Sequence, residues 1–305
     1  MKELWTEKYR PKTVDGYVFR DEAHKRQIAG WIKDGSIPHL LLSGSPGIGK
    51  TTLAKILLNE LEIPEYDILE INASRTNSVD DVRDLIVKFI SMIPFGPFKV
   101  VLLDEADYLS PNAQAALRGV MEEYHSTARF ILTCNYENKI IPALHSRCQH
   151  IHFSEIDKTE FTARVATILV EENIDFDLDT LDTFVKATYP DLRKCINFIQ
   201  QNSTDGKLAS PHAEDTGMAD YKIEMVELFK AGEIQAARKL ICSRARPDEM
   251  TSIMRWMYDN LDLISKDEEK KDQALLIIKQ GLADAALVAD PEINLAAVFV
   301  KLGRL

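Results

Sequence analysis

The sequence predicts a doubly wound α/β domain built on a parallel sheet, followed by two all-helical segments. Three observations predict it. Short apolar runs between residues 38 and 153 are continuously hydrophobic rather than alternating, the pattern of strands covered on both faces. Helical periodicity separates them, as in Leu53, Leu57, Leu58 and Leu61, and strand–helix alternation builds a parallel sheet. After residue 153 the strand pattern stops and only helical stripes continue.

The elements follow in order. WTEKYRP (5–11) is a terminal segment, where disorder is the default, yet Trp5 and Tyr9 predict docking against the body. HLLLSG (39–44), YDILEIN (66–72), FKVVLLDEAD (98–107), RFILTCN (129–135) and QHIHF (149–153) are the predicted strands. Phe161, Val165, Ile168 and Leu169 mark a helix with Asp157 as N-cap and Glu160 three residues later. A further helix is expected from Pro190, a residue suited to a first helical position, with the stripe Leu192, Cys195, Ile196 and Ile199. NSTDGKLASPHAEDTG (202–217) reads as a linker or long loop, and 218–305 is helical again, with Met250, Ile253, Met254 and Met257 on one face. The expected domains are 1–153, 154–204 and 205–305.

Bulk composition bounds the function. At 305 residues, the chain can hold two or three cores. No apolar run approaches the roughly 18–20 residues that span a bilayer, and the N-terminus lacks the apolar core of a secretory signal. The four cysteines lie far apart without a C-x-x-C pair, which suggests neither a cysteine zinc site nor a disulfide framework and points to a reducing cytoplasm. A net charge of −11 argues against coating nucleic acid by bulk attraction but permits a local basic surface.

Two motifs carry chemistry. GSPGIGKT (44–51) fits G-x-x-x-x-G-K-[ST] between a strand and a helix, where backbone N–H groups wrap a phosphate chain. Gly44, Ser45, Pro46, Gly47, Ile48, Gly49, Lys50, Thr51 and Thr52 form this candidate nucleotide site. Lys50 would reach the β- and γ-phosphates and Thr51 would hold Mg²⁺. VVLLDEAD (100–107) ends a strand in Asp104, a second Mg²⁺ candidate, followed by Glu105 to orient or deprotonate water. An acidic helix start favoured by the dipole reads the same way for this second motif alone; both motifs in order point to nucleotide hydrolysis.

Three further residues are read with two meanings each. Asn135 ends a strand where its amide can meet the γ-phosphate or the attacking water, though asparagine there also serves as a turn residue. Arg193, in the first turn of its helix, faces an unfavourable dipole that costs roughly 0.3–1 kcal/mol unless an anion lies nearby. Bound triphosphate is one such anion, and a solvated side chain is the other reading. Arg147 precedes the last strand with no carboxylate near it in sequence; by itself it reads as an arginine covering an edge strand and reaching into solvent.

In their order and spacing, WTEKYRP, GSPGIGKT, LLDEAD, TCN, HSRC and PDLRK resemble the AAA+ clamp-loader ATPases. The resemblance spans 4–199 and extends to replication factor C small subunits and the large clamp-loader subunit of T4-like bacteriophages. YPDLRK, where replication factor C subunits usually have G-D-L-R-K, leans toward the phage branch. No cysteine-rich zinc insert of the bacterial loaders is present.

The resemblance implies an ATP- and Mg²⁺-dependent ATPase that opens a sliding clamp and loads it on primer–template DNA. It implies an AAA+ P-loop domain, a helical lid and a helical collar that joins like subunits and a non-identical partner. Tyr9, Arg10 and Pro11 would line the adenine pocket, Asn135 would be sensor 1 and Arg193 sensor 2. Asn72 would hold Glu105 inactive until DNA binds, and Gln114 would couple the DNA-facing helices to the ATP site. Arg147 would be an arginine finger acting on a neighbour. Arg83, with Arg75 nearby, would track the DNA backbone; Asn77 stands where family members often carry a further basic residue. KFISMIPFGPF (88–98) offers apolar anchors for the clamp, or reads as an ordinary buried helix end and loop. Two rivals remain from sequence: a branch-migration or helicase motor, and a subunit that binds ATP without cleaving it.

Overall fold

A computed structural model describes residues 3–75, 79–153, 156–209, 221–245, 247–285, 287–288 and 290–305. The chain groups into two compact units: 1–168 with 190–197, and 169–189 with 198–305. This partition differs from the three-part division expected from sequence, because it divides 154–204 between the units.

In the first unit α1 (Trp5–Lys8) and α2 (Glu22–Asp34) precede the sheet. Then come β1 (Leu40–Gly44), α3 (Lys50–Glu60), β2 (Ile68–Asn72), α4 (Val79–Ile90) and β3 (Lys99–Asp104). They are followed by α5 (Pro111–Glu123), β4 (Ala128–Cys134), α6 (Pro142–His145), β5 (Gln149–Phe153) and α7 (Lys158–Glu171). The five strands pair in the order β2-β3-β4-β1-β5, all parallel. Every strand therefore ends on the same edge, which carries Gly44, Asn72, Asp104 and Cys134. Ligands of open α/β sheets bind outside that edge.

Continuous burial explains the apolar runs of the central strands β1, β3 and β4, whereas the edge strands β2 and β5 are only partly buried. Leu41, Val101, Leu103, Phe130 and Leu132 pack against Ile86 and Ile90 of α4 and Ala113, Leu117, Val120 and Met121 of α5. The intervening residues Leu40, Leu42, Val100, Leu102 and Ile131 are as deeply buried, and α3 contacts β1 and β4. Caps set the helix starts: Ser110 accepts from Ala113 N with Pro111 in the first turn of α5, and Asp157 accepts from Glu160 N as expected. The aromatic anchors of the N-terminal segment do dock, with Trp5 and Tyr9 both buried and Arg164 donating to Tyr9 O at 2.8 Å.

Three details correct the sequence reading. The run 98–107 yields a strand only to Asp104, because Glu105 turns into the left-handed region at φ 58°. Pro190 is not the first helical residue: α8 (Leu178–Thr188) is followed by α9 (Leu192–Gln201), and Asp191 caps it by accepting from Lys194 N at 2.9 Å. Strands do not stop at 153 either, since β6 (Ser203–Thr204) and β7 (Lys207–Leu208) pair antiparallel inside the expected linker. Asp205 and Gly206 between them both have positive φ, the conformation a two-residue Asp-Gly hairpin requires.

The second unit continues with α10 (Tyr221–Lys230), α11 (Ile234–Arg244), α12 (Met250–Asp259), α13 (Glu268–Asp284) and α14 (Pro291–Leu302). Its core joins Phe229, Ile241, Ile278 and Phe299 to the predicted stripe Met250, Ile253, Met254 and Met257. No helix among the described residues is long and apolar enough to cross a membrane.

Candidate active site

The loop between β1 and α3 needs glycine for shape. Gly44, Gly47 and Gly49 all have positive φ. A Cβ on Gly47 would overlap the Asp191 carboxylate, and one on Gly49 would lie 3.0 Å from Tyr17 Oη. The loop is thus pressed between the start of α9 and the segment after α1, and only hydrogen at these positions allows that approach.

Lys50 opens α3 and is buried. Its ammonium donates to Gly44 O at 2.7 Å, Ser45 O at 2.8 Å and Asn135 Oδ1 at 2.9 Å. All three donors therefore point into the loop and toward the predicted sensor residue. Burial lowers the Lys50 pKa, Asp104 and Asp107 oppose that shift, and Arg193 adds to it. A further anion in the loop would be favoured by both cations.

Next to it, Asp104 Oδ1 accepts from Thr51 Oγ1 at 2.7 Å and from Thr133 Oγ1 at 2.6 Å. Thr133 Oγ1 in turn accepts from Glu105 N at 3.0 Å. This chain ties the P-loop, β3 and β4 together and helps hold Glu105 at φ 58°. A non-glycine residue there costs of order 1–3 kcal/mol and persists only where the surroundings over-determine it. Thr51 and Asp104 offer an all-oxygen pair suited to a hard divalent cation. Among the described residues, no hydrogen bond holds the Glu105 carboxylate.

A cleft opens beside the loop. Tyr9, Arg10 and Pro11 line it together with Gly47, Ile48, Gly49, Thr52 and Arg193. The predicted purine wall, the loop and the predicted sensor 2 therefore meet at one cavity. Sequence reasoning missed Tyr17, Val18, Ile156, Arg164, Leu192 and Ile196 on its walls. Tyr17 donates to Gly49 O at 3.3 Å, and burial raises its pKa. Thr133 was missed too; its signal is a lone hydroxyl in an apolar strand whose neighbour ends in Asp104.

Other predicted residues stand apart from the loop. Asn72 faces Asp104 across the β2–β3 register, but its Oδ1 accepts from Ser74 N at 2.9 Å and Ser74 Oγ at 2.5 Å. Gln114 is buried, donates to Leu109 O and Lys139 O, and accepts from Ile141 N. It fastens α5 to the segment between Asn135 and α6. Arg147 ion-pairs with Glu122 of α5 and donates to Ala143 O at 2.8 Å. The sequence had hidden that carboxylate 25 residues upstream. Arg75 and Arg83 are exposed, and Asn77 lies outside the described residues.

Residues 40–156 match the family described as AAA, ATPase family associated with various cellular activities. A Replication factor C small subunit of Methanocella arvoryzae is 39% identical over 285 residues, covering 88% of this chain and 86% of its own. One from Sulfurisphaera tokodaii is 40% identical over 243 residues, with 77% and 74% covered. A third, from Methanococcus vannielii, is 33% identical, with both chains fully covered. The chain belongs to the replication factor C small subunit family. As such it is a nucleotide-binding clamp-loader ATPase of DNA replication. Among solved structures, the Thermotoga maritima RuvB Holliday junction branch migration motor aligns at a TM-score of 0.57 and 17% identity, covering 77% of this chain and 85% of its own. That likeness extends to the fold alone, so the sequence relatives decide between the loader and the motor.

Proposed function

We propose that this replication factor C subunit binds ATP with Mg²⁺ in the Gly44–Thr52 loop and hydrolyses it to ADP and phosphate, coupled to opening a sliding clamp and releasing it on primer–template DNA. The observation that carries the reading is that two adjacent residues opening α3 reach the ends of two other strands, Lys50 bonding Asn135 and Thr51 bonding Asp104. Lys50 would exchange carbonyl partners for phosphate oxygens. Thr51 and Asp104 would hold Mg²⁺, which would supply positive charge to offset that of the phosphate chain. Glu105 would align and deprotonate water, Asn135 would hold that water or the γ-phosphate, and Arg193 would bind the phosphates from α9. Tyr9, Arg10 and Pro11 would enclose the adenine.

In the same reading, residues 154–204 act as a lid and 205–305 as a collar joining like subunits and a non-identical partner. Arg147 acts across the subunit boundary, and Glu122 aims its guanidinium. Asn72 restrains Glu105 once freed from Ser74, and Gln114 relays strain between α5 and the segment after Asn135. Arg75 and Arg83 follow the DNA backbone without reading sequence. Met92, Ile93 and Phe95, which are 54%, 88% and 82% exposed, dock on the clamp. The place of action is the cytoplasm, or the host cytoplasm if the chain is viral.

Glu105→Gln tests the reading. It should keep ATP affinity near that of the parent and slow turnover, because general-base roles contribute ~10²–10⁴-fold. Steady-state ATPase with and without DNA and clamp reads this out. Turnover within threefold of the parent would overturn the assignment of Glu105.

A further inference from the structure

Ser43, immediately before the P-loop glycine, is fully buried on β1. Its hydroxyl is where side chains from two other elements meet. His150 Nε2 lies 2.7 Å and His152 Nδ1 2.9 Å from Ser43 Oγ, which reaches Glu137 Oε2 at 3.2 Å. His150 and His152 are two apart on β5 and so share one face of the sheet. Glu137 begins the 3-10 turn Glu137–Lys139 two residues after Asn135. It meets His150 Nδ1 at 3.4 Å through Oε1 and His152 Nδ1 at 3.3 Å through Oε2. His145, the last residue of α6, brings a third imidazole: its Nε2 lies 3.3 Å from Glu137 O, and its ring stands edge-on to His150 at 5.6 Å.

The nucleotide chemistry uses none of these imidazoles. One donor atom each from Glu137, His145 and His150 lie within 4.8 Å of one another. Ligands at about 2.0–2.2 Å from a tetrahedral zinc ion sit about 3.4 Å apart. The three atoms thus need to converge by at most about 1.4 Å, within the reach of side chains that are partly or largely exposed. Two imidazoles and a carboxylate, with the fourth position open to water, are a donor set for zinc-class ions rather than for Mg²⁺. Each ligand comes from a different element, so the ion would join the segment after Asn135, the end of α6 and the edge strand β5.

We propose that Glu137, His145 and His150 bind a divalent transition-metal ion of the zinc class, with Ser43 and His152 orienting the carboxylate and the His150 ring. The ion braces the segment that runs from Asn135 to Arg147. Metal binding at this site requires no nucleotide in the P-loop.

Co²⁺ is the probe, added alone to the nucleotide-free chain. One equivalent should give the visible absorption of tetrahedral cobalt, displaced by one equivalent of Zn²⁺. His150→Ala and His145→Ala should each abolish that absorption and weaken Zn²⁺ binding about tenfold or more. Asp104→Asn should keep it, which separates this site from the P-loop. Zn²⁺ should also raise the melting temperature of the parent but not of Glu137→Gln, a variant that preserves side-chain shape. Absent absorption, absorption that survives all three cluster variants, or absorption lost with Asp104→Asn overturns the proposal. In that case the cluster is a hydrogen-bond network only.

Discussion

Lys99 begins β3 with its side chain 2% exposed, and its ammonium meets Asp67 Oδ1 at 2.9 Å, a carboxylate with no exposure at all. The same ammonium lies 4.4 Å from the centre of the Phe89 ring, and Gly96 N donates to the other Asp67 oxygen at 2.7 Å. Asp67→Asn removes one charge and leaves the other buried without a counter-ion, which typically costs 3–5 kcal/mol. Chemical denaturation should show a loss of that size, and a loss below about 1 kcal/mol would mean that water or a relaxed Lys99 rescues the charge. Burial raises the Asp67 pKa, but the bonds from Gly96 and Lys99 outweigh it and leave the folded value below the ordinary one. The contribution is therefore complete above the ordinary aspartate range and drains as acid takes the pH down through the folded value. Nothing in the sequence announced this pair, because Asp67 and Lys99 lie on adjacent strand starts and meet only once β2 and β3 are in register. Lys50, Thr51 and Asp104 were legible for the opposite reason. Their spacing within one motif, or at one strand end, already fixes where they sit. Thr133 and Tyr17 act through contacts that local spacing does not encode.

At the scale of elements, strand and helix identity was legible where burial was one-sided or complete, and the ends were not. Glu105 leaves β3 early because Thr133 holds its amide, and α9 starts late because Asp191 is the better cap. The β6–β7 hairpin was readable in Asp205-Gly206, yet its two-residue strands were too short to show alternation. The helix α4 carries Arg83 on its exposed side, and the segment after it leaves Ile93 and Phe95 in solvent. Arg83→Ala should therefore spare the basal ATPase and reduce its stimulation by DNA. An arginine seated on a phosphate releases counter-ions, so the slope of log affinity against log salt should fall by about one unit for each phosphate that the variant leaves unneutralised. An unchanged slope with unchanged affinity would mean that α4 does not face nucleic acid. A local interaction of this kind is compatible with a chain of net charge −11, since a basic stripe governs binding at distances of about one Debye length, near 8 Å.

Across the whole molecule, sheet direction decides what Arg147 can do. Gln149 pairs with Leu40 and Phe153 with Gly44, so Arg147 sits beyond the amino ends of β1 and β5 while the P-loop sits beyond the carboxyl ends. Five residues of strand at about 3.3 Å each separate the two edges by about 16 Å. With Glu122 and Ala143 O holding the guanidinium at its own edge, the role proposed for Arg147 lies at the γ-phosphate of an adjacent subunit rather than its own. Arginines supplied in trans contribute ~10³–10⁵ in kcat. Arg147→Ala should thus fold, bind ATP and assemble, yet hydrolyse poorly, and Lys50→Ala should fail because its own loop no longer holds nucleotide. Mixing the two inactive proteins is the decisive measurement. An interface that brings the intact P-loop of an Arg147→Ala subunit against the intact Arg147 of a Lys50→Ala subunit contains every group the reaction needs. Activity should reappear in proportion to such interfaces as the mixing ratio is varied, with a maximum at an intermediate ratio. If native mass spectrometry shows mixed assemblies and the ATPase rate stays at the level of the separate variants, Arg147 does not act across the boundary. Its pairing with Glu122 is then its whole role.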